Sequence, residues 1–101
     1  MEMRIVEYAS TRGALLFKMP PTTGRSHMPD RILLHPARPP AFLELKRTGE
    51  RPTPEQLEML SRLTDRGFQA SWADTYAGAK KFIDTCLYRA LRAPRTQKKK
   101  T

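Results

Sequence analysis

The sequence predicts an α/β fold in which a small mixed β-sheet is flanked by helices, in the element order α-β-β-β-α-β-α. Three observations support this prediction. Two short apolar segments on either side of a proline-rich turn indicate a β-hairpin. A strand, a well-capped helix and another strand then follow, which favours parallel pairing of those two strands. Finally, an apolar stripe at helical spacing runs through the end of the chain.

The first half of the chain predicts one helix and three strands. Ile5, Val6 and Ala9 recur at helical spacing, and Gly13 ends this helix. The strands after it are short and apolar, and a loop rich in proline, glycine, serine and threonine follows the first of them. The predicted elements are a helix over residues 2–12, a strand over 14–17 and a loop over 20–29. A strand over 31–35, a turn over 36–40 and a strand over 41–46 follow.

The second half opens on the clearest helix start of the sequence. Thr53 is a good N-cap, Pro54 suits the first helical position, and Gln56 completes a capping box. Leu57, Leu60 and Leu63 give this helix one apolar face, and Gly67 ends it. The helix is therefore predicted to lie with its leucines on the sheet.

A fourth strand over residues 68–73 and a last helix complete the fold. Either Asp74 or Thr75 caps the last helix, and Pro94 marks its end. We expect its buried stripe to consist of Tyr76, Ala79, Phe82, Ile83, Cys86, Leu87 and Leu91.

The charge indicates a polyanionic partner. The net charge is +9 and the pI is about 10.3, which favours nucleic acid first and an anionic membrane second. Arg92, Arg95 and three lysines lie in the last ten residues, and removing these five charges leaves +4 for residues 1–91. We therefore divide the chain into one domain, 1–91, and a basic tail, 92–101, which is either a solvated disordered end or a phosphate contact.

Cysteine usage and the N-terminus point to the cytoplasm. Cys86 is the single cysteine, so neither an intrachain disulfide nor a zinc cluster is expected. No long apolar stretch near the N-terminus suggests a signal peptide or a membrane span. The sequence also lacks a Walker loop, so no nucleotide cofactor is expected.

Glu44 and Lys46 lie two residues apart on a strand, so their side chains point to the same face. Taken alone, this pair is typical of a half-exposed strand with an ion pair. The predicted hairpin, however, sets Asp30 beside them, although an Asp after Pro29 is by itself typical of a turn. Two converging carboxylates favour Mg²⁺ or Mn²⁺, with the backbone carbonyl of Leu45 as a further ligand and Lys46 placed to act on a water or on developing charge.

An ordered set of motifs resembles a known family. GRSHMPDRILL (residues 24–34) is followed by FLELK (residues 42–46), then by Thr48-Gly49 and a loop containing proline. Gln56 in the next helix and Gly67-Phe68 before the last strand complete the set. Over residues 2–84 the chain resembles the VRR-NUC family (virus-type replication-repair nucleases) of the PD-(D/E)xK nuclease superfamily.

The resemblance implies a restriction-endonuclease-like core and Mg²⁺-dependent hydrolysis of DNA, with Mn²⁺ as a substitute. It implies Asp30 and Glu44 as metal ligands, Lys46 as the catalytic lysine and Gln56 as an active-site helix residue, although Gln56 is equally explained by its capping box. The family's helix-one glutamate matches Glu2, or Glu7 if the helix is shorter; we favour Glu2, which is also an ordinary first-turn acid. The turn over 36–40 departs from the family in being rich in proline rather than glycine.

The resemblance also implies a symmetric homodimer that acts on branched DNA, such as four-way (Holliday) junctions or flaps. A two-fold axis would place two sites for paired nicks. We expect phosphate contacts, which fix position without reading sequence, from Arg25, His27, Arg31, Arg47, Arg51, Lys98, Lys99 and Lys100. The alternative is a non-catalytic basic nucleic-acid-binding module on the same fold.

Overall fold

A computed structural model describes the backbone of residues 1–20 and 27–98 and the side chains of residues 1–20 and 27–88. Its seven elements follow the predicted order and confirm the α/β class. They are α1 (Glu2–Thr11), β1 (Leu15–Lys18), β2 (Arg31–His35), β3 (Arg38–Leu45), α2 (Pro54–Asp65), β4 (Gln69–Ala73) and α3 (Tyr76–Lys98).

The four strands form one mixed sheet in the order β1-β2-β3-β4. β1 pairs with β2 and β2 with β3 in antiparallel fashion, which confirms the predicted hairpin. β3 and β4 are parallel, as the strand–helix–strand connection predicts. The hairpin register sets Arg31 opposite Leu43, so the beginning of β2 lies beside the end of β3.

One face of the sheet forms the hydrophobic core with α1 and α3. Leu43 at its centre is completely buried, as are Ile5 of α1 and Ile83 of α3. Alternation along β3 turns Phe42 and Glu44 to the opposite face, toward α2. The core therefore fixes the position of β3, and β3 carries Glu44 on its other side.

The second face is covered unevenly. α2 packs on β4, and Leu60 is its buried leucine, whereas Leu57 stays 44% exposed. Over β1 and β2 the same face leaves three large apolar side chains exposed: Leu15, Phe17 and Leu34. No helix in the described part of the chain is long and apolar enough to cross a membrane.

The helices begin and end with the capping residues that the sequence predicts. Thr53 and Gln56 form the complete capping box of α2. Gly13 and Gly67 follow the ends of α1 and α2 with φ of 79° and 94°, a left-handed conformation that favours glycine. Of the two candidate caps for α3, Thr75 serves, because its hydroxyl accepts the N–H of Gly78.

Two predicted boundaries are wrong. The turn between β2 and β3 is confined to residues 36–37, and Pro39 and Pro40 belong to β3. Prolines are tolerated there because β4 pairs with β3 only from Ala41 onward. The helical backbone of α3 also passes Pro94 to Lys98, although proline lacks the N–H for one helical hydrogen bond and its ring crowds the carbonyl four residues earlier. The division of the chain at residue 91 stays a prediction.

We expect Leu43→Ala to lower the free energy of unfolding by about 2–5 kcal/mol, because it opens a cavity under the strand that carries Glu44. Leu15→Ala, at a position that is 55% exposed, is the matched control and should cost about 1 kcal/mol or less. Urea denaturation followed by circular dichroism measures both. Equal losses for the two variants would contradict the described packing of the sheet.

Candidate active site

The candidate site lies at one edge of the sheet, where β2 begins and β3 ends. The first turn of α1 reaches this edge from the core side, and the first turn of α2 reaches it from the other face. A cleft opens here, and its lining includes Glu2, Asp30, Glu44, Lys46 and Asp74. The structure thus brings together residues that the sequence places up to 72 positions apart.

Asp30 and the end of β3 are joined by two hydrogen bonds. The backbone N–H of Asp30 donates to Oε1 of Glu44 at 3.1 Å, and the N–H of Leu45 donates to Oδ1 of Asp30 at 3.0 Å. The Asp30 side chain is 37% exposed, whereas Glu44 is 6% exposed. The two predicted carboxylates therefore lie side by side, with Asp30 toward the cleft and Glu44 behind it.

Lys46 and Gln56 converge on the other oxygen of Glu44. The Nζ of Lys46 lies 3.4 Å from Oε2, and the Nε2 of Gln56 donates to the same oxygen at 3.5 Å. The amide oxygen of Gln56 meanwhile accepts the N–H of Thr53 in the capping box. The capping role of Gln56 is confirmed, and its active-site role stays a prediction that its contact with Glu44 supports, since one end of its amide caps α2 and the other reaches Glu44.

The environment raises the pKa of Glu44. Burial, which penalises the charged form, is the main cause, and the nearby charge of Asp30 adds to it. The ammonium of Lys46 and the backbone N–H of Asp30 act in the opposite direction. Glu44 is thus a carboxyl group whose charged form the fold disfavours, as is common at sites built for chemistry.

Arg31 occupies an unexpected position. Its side chain is 3% exposed, and its Nη2 lies 2.5 Å from Oε2 of Glu2. Its Nη1 lies 3.3 Å from Oδ2 of Asp30 and donates to the Asp30 carbonyl oxygen at 3.1 Å. This burial argues against the phosphate contact predicted for Arg31. The signal was present in the sequence, because strand alternation puts Arg31 on the same face as the buried Leu33.

The donor set suits a magnesium ion. Asp30 and Glu44 offer carboxylate oxygens, and Mg²⁺ is commonly held by one or two carboxylates while water and substrate phosphate complete its shell. Among the side chains that the structure describes, no group of three or more His, Cys, Asp or Glu residues forms a denser metal cluster. A metal at this edge would therefore rest on two carboxylates and on backbone oxygen.

The backbone carbonyl of Leu45 faces the segment that precedes β2. The N–H of Lys46 donates to Ala73 in β4, so Leu45 directs its own N–H and carbonyl the other way, toward Asp30. Two residues beyond the Arg31–Leu43 pair, the hairpin register would set Pro29 opposite Leu45. Proline has no N–H, so it cannot claim this carbonyl as a strand neighbour would.

The remaining predicted residues fall into four groups. Glu2 lines the cleft, whereas Glu7 is exposed elsewhere on α1, so Glu2 is the helix-one acid near the site. Arg47 is exposed on the lining, and the Arg51 guanidinium lies 5.6 Å from the centre of the Trp72 ring. His27 is exposed, with φ of 50°. Outside the described residues or side chains lie Arg25, Lys98, Lys99 and Lys100.

Asp74 has a structural role that the sequence analysis missed. Its carboxylate accepts the N–H of Gly49 at 3.0 Å, and its carbonyl accepts the hydroxyl of Thr48 at 3.1 Å. These bonds fix the loop that follows Lys46. Parallel pairing of β3 with β4 was the available signal, since it brings the carboxyl ends of both strands to the same edge.

Comparison with solved structures identifies a chain described as a VRR_NUC domain. The two chains are 30% identical and superpose with a TM-score of 0.64. The match covers 82% of this chain and 94% of that one, so it extends over nearly the whole solved domain. No family model and no curated protein matches the sequence.

The raised pKa of Glu44 gives stability a definite pH dependence. Between the ordinary value of 4.5 and the raised folded value, the folded chain binds more protons than the unfolded chain. The free energy of unfolding of the wild type, relative to Glu44→Gln, should therefore fall as pH rises through this window. Its slope is at most about 1.4 kcal/mol per pH unit, and it levels off at higher pH.

Urea denaturation of both proteins at several pH values, without divalent metal, measures this difference. The glutamine variant is a suitable reference because it keeps the size of the side chain and cannot ionise. A difference that rises with pH would show instead that Lys46 and the Asp30 N–H outweigh the burial of Glu44.

Proposed function

The chain belongs to the VRR-NUC family and is a nuclease-type domain, and from this premise we propose that it is a Mg²⁺-dependent DNA endonuclease. The observation that carries the proposal is the convergence of Asp30, Lys46 and Gln56 on the carboxylate of Glu44, beside the cleft. These are the residues that the family resemblance assigns to catalysis.

Each residue has a role that follows from its position. Asp30 and Glu44 would hold the metal together with the Leu45 carbonyl, and Gln56 keeps the Glu44 carboxylate oriented from α2. The bound ion would supply Lewis-acid stabilisation of the phosphate and a more acidic water. Lys46, only 17% exposed, donates its ammonium protons toward the attacking water or the charge that develops on phosphate oxygen.

Surface cations near the cleft would position the nucleic acid. Arg47 lies on the lining itself. Arg51 is held over Trp72, so less freedom is lost when its guanidinium meets a phosphate. Such contacts fix the register of DNA without reading its sequence. With a domain of this size, we propose selection of DNA by branched structure, in four-way junctions or flaps, rather than by sequence.

A non-catalytic nucleic-acid-binding module is the alternative, favoured by the net charge of +9 alone. It leaves the carboxylate arrangement unexplained. Burial of Glu44 beside Asp30 costs free energy, and a module that only binds a polyanion gains nothing from two acids in its cleft. The catalytic proposal accounts for both the charge and the acids.

We expect labelled four-way junctions and flaps to be cut in the presence of Mg²⁺ or Mn²⁺, faster than linear duplex and not at all in EDTA. Asp30→Asn and Lys46→Ala should each lower kcat by about 100-fold or more, because each removes a group that acts in the transition state. Lys80→Ala is the matched control, since Lys80 is exposed and pairs with Asp84 on α3.

The outcomes separate the two functions. Salt-sensitive binding of all three DNAs without cleavage under either metal would rule out the endonuclease and leave a binding module. Metal-dependent cutting with equal rates on linear and branched DNA would retain the nuclease and remove the structural selectivity.

We also propose a homodimer, because paired nicks in a four-way junction need two sites related by a two-fold axis. Sedimentation equilibrium at micromolar concentration should then give twice the chain mass of 11.6 kDa. A monomer at that concentration, with and without junction DNA, would contradict the dimer while leaving the chemistry of a single site intact.

A further inference from the structure

Arg31 is a buried cation placed between two acids of the site. Among the described side chains, it and Glu44 are the charged residues that fall in the buried class. Its guanidinium contacts Glu2 on one side and Asp30 on the other, at 2.5 and 3.3 Å. It therefore joins α1 to the start of β2 at the carboxylate that faces the cleft.

The formal charges of the site are almost balanced without any metal. The network of ion pairs and hydrogen bonds around Arg31 joins three acids and two cations: Glu2, Asp30, Glu44, Lys46 and Arg31. Their sum is one negative charge. A divalent ion would bring the free site to one positive charge, and the phosphodiester of DNA would then return it to zero. The formal charges of these five residues therefore sum to zero when a divalent metal and a phosphodiester are both bound.

We propose that Arg31 is a positioning residue that acts as the resident counter-ion of the metal-free site. It holds Asp30 and Glu2 in place while no metal is bound, and it opposes the metal in the free protein. Divalent metal therefore binds weakly until a phosphodiester enters, so that metal binding is coupled to DNA binding. This inference rests on the proposed function and adds to it a reason for the buried arginine.

A purely structural role for Arg31 explains its contacts with Asp30 and Glu2 less well than a counter-ion role does. Lys46 already neutralises Glu44, and a buried guanidinium is costly unless its partners need its charge. The partner at 3.3 Å is the carboxylate oxygen of Asp30 that no other described hydrogen bond occupies, since Oδ1 accepts the N–H of Leu45. The arginine thus stands where a metal ion would compete with it.

Mn²⁺ affinity of the full chain tests the inference, measured without DNA at low salt by electron paramagnetic resonance of the free ion. Arg31→Met removes the charge and keeps most of the volume, and it should bind Mn²⁺ on the order of tenfold more tightly. Arg31→Gln should show the same shift, and it serves if the methionine variant does not fold. Arg31→Lys, which keeps the charge, should stay close to the wild type.

The matched control is Arg12→Met. Arg12 forms an ion pair with Asp84 between α1 and α3, away from the cleft, so its loss should leave Mn²⁺ affinity unchanged. A merely structural Arg31 would lower the melting temperature without tightening Mn²⁺ binding. Methionine and glutamine variants of Arg31 that bind Mn²⁺ equally or more weakly than the wild type would therefore overturn the inference and leave the proposed function standing.

A second measurement addresses the coupling to DNA. In a Lys46→Ala background, which should prevent cleavage, duplex DNA should raise Mn²⁺ affinity more when Arg31 is present than when it is methionine. An equal effect of DNA in both proteins would overturn the coupling. Absence of Mn²⁺ binding by the wild type, with and without DNA, would instead overturn the proposed metal-dependent function itself.

Discussion

The hydrogen bonds between Asp30 and the end of β3 are the constraint on which the rest of the site depends. Asp30 directly precedes β2, and its carboxylate, in place of a backbone carbonyl of a paired strand, accepts the N–H of Leu45. In return the Asp30 N–H holds the Glu44 carboxylate. Because a side chain accepts the last hydrogen bond between these two strands, the sheet ends in a cluster of carboxylate oxygens instead of a further pair of backbone residues.

The clustered carboxylates repel one another, and two neighbouring cations offset this repulsion from opposite faces of the sheet. Lys46 stands on the side of Glu44, and Arg31 reaches Asp30 from the core side. Burial disfavours the ionised form of Glu44, and the nearby charge of Asp30 adds to this cost. A bound metal and phosphate would lower this electrostatic cost. The stability of the fold and the proposed chemistry therefore depend on the same residues.

The two helices contribute through their first turns. α2 presents Gln56, whose amide satisfies the helix cap with one atom and Glu44 with the other. α1 presents Glu2, held by Arg31. Neither helix supplies a long functional face; each supplies one side chain at the end nearest the sheet edge. The apolar packing of α1 and α3 on β3 consequently positions the site, to which the core residue Leu45 would contribute its backbone carbonyl.

Much of this arrangement follows from the sequence alone. The periodicities and caps determine the seven elements, and the short hairpin connection determines that Asp30 meets Glu44 and Lys46, because register and alternation are local geometric rules. Strand alternation indicated the face of Arg31, and parallel pairing indicated the edge at which Asp74 lies, but the partners of these two residues and the double use of Gln56 were decided only by the tertiary structure. Each depends on a distance between elements far apart in the chain, and a side chain's partners are set by which faces pack together, which no local pattern encodes.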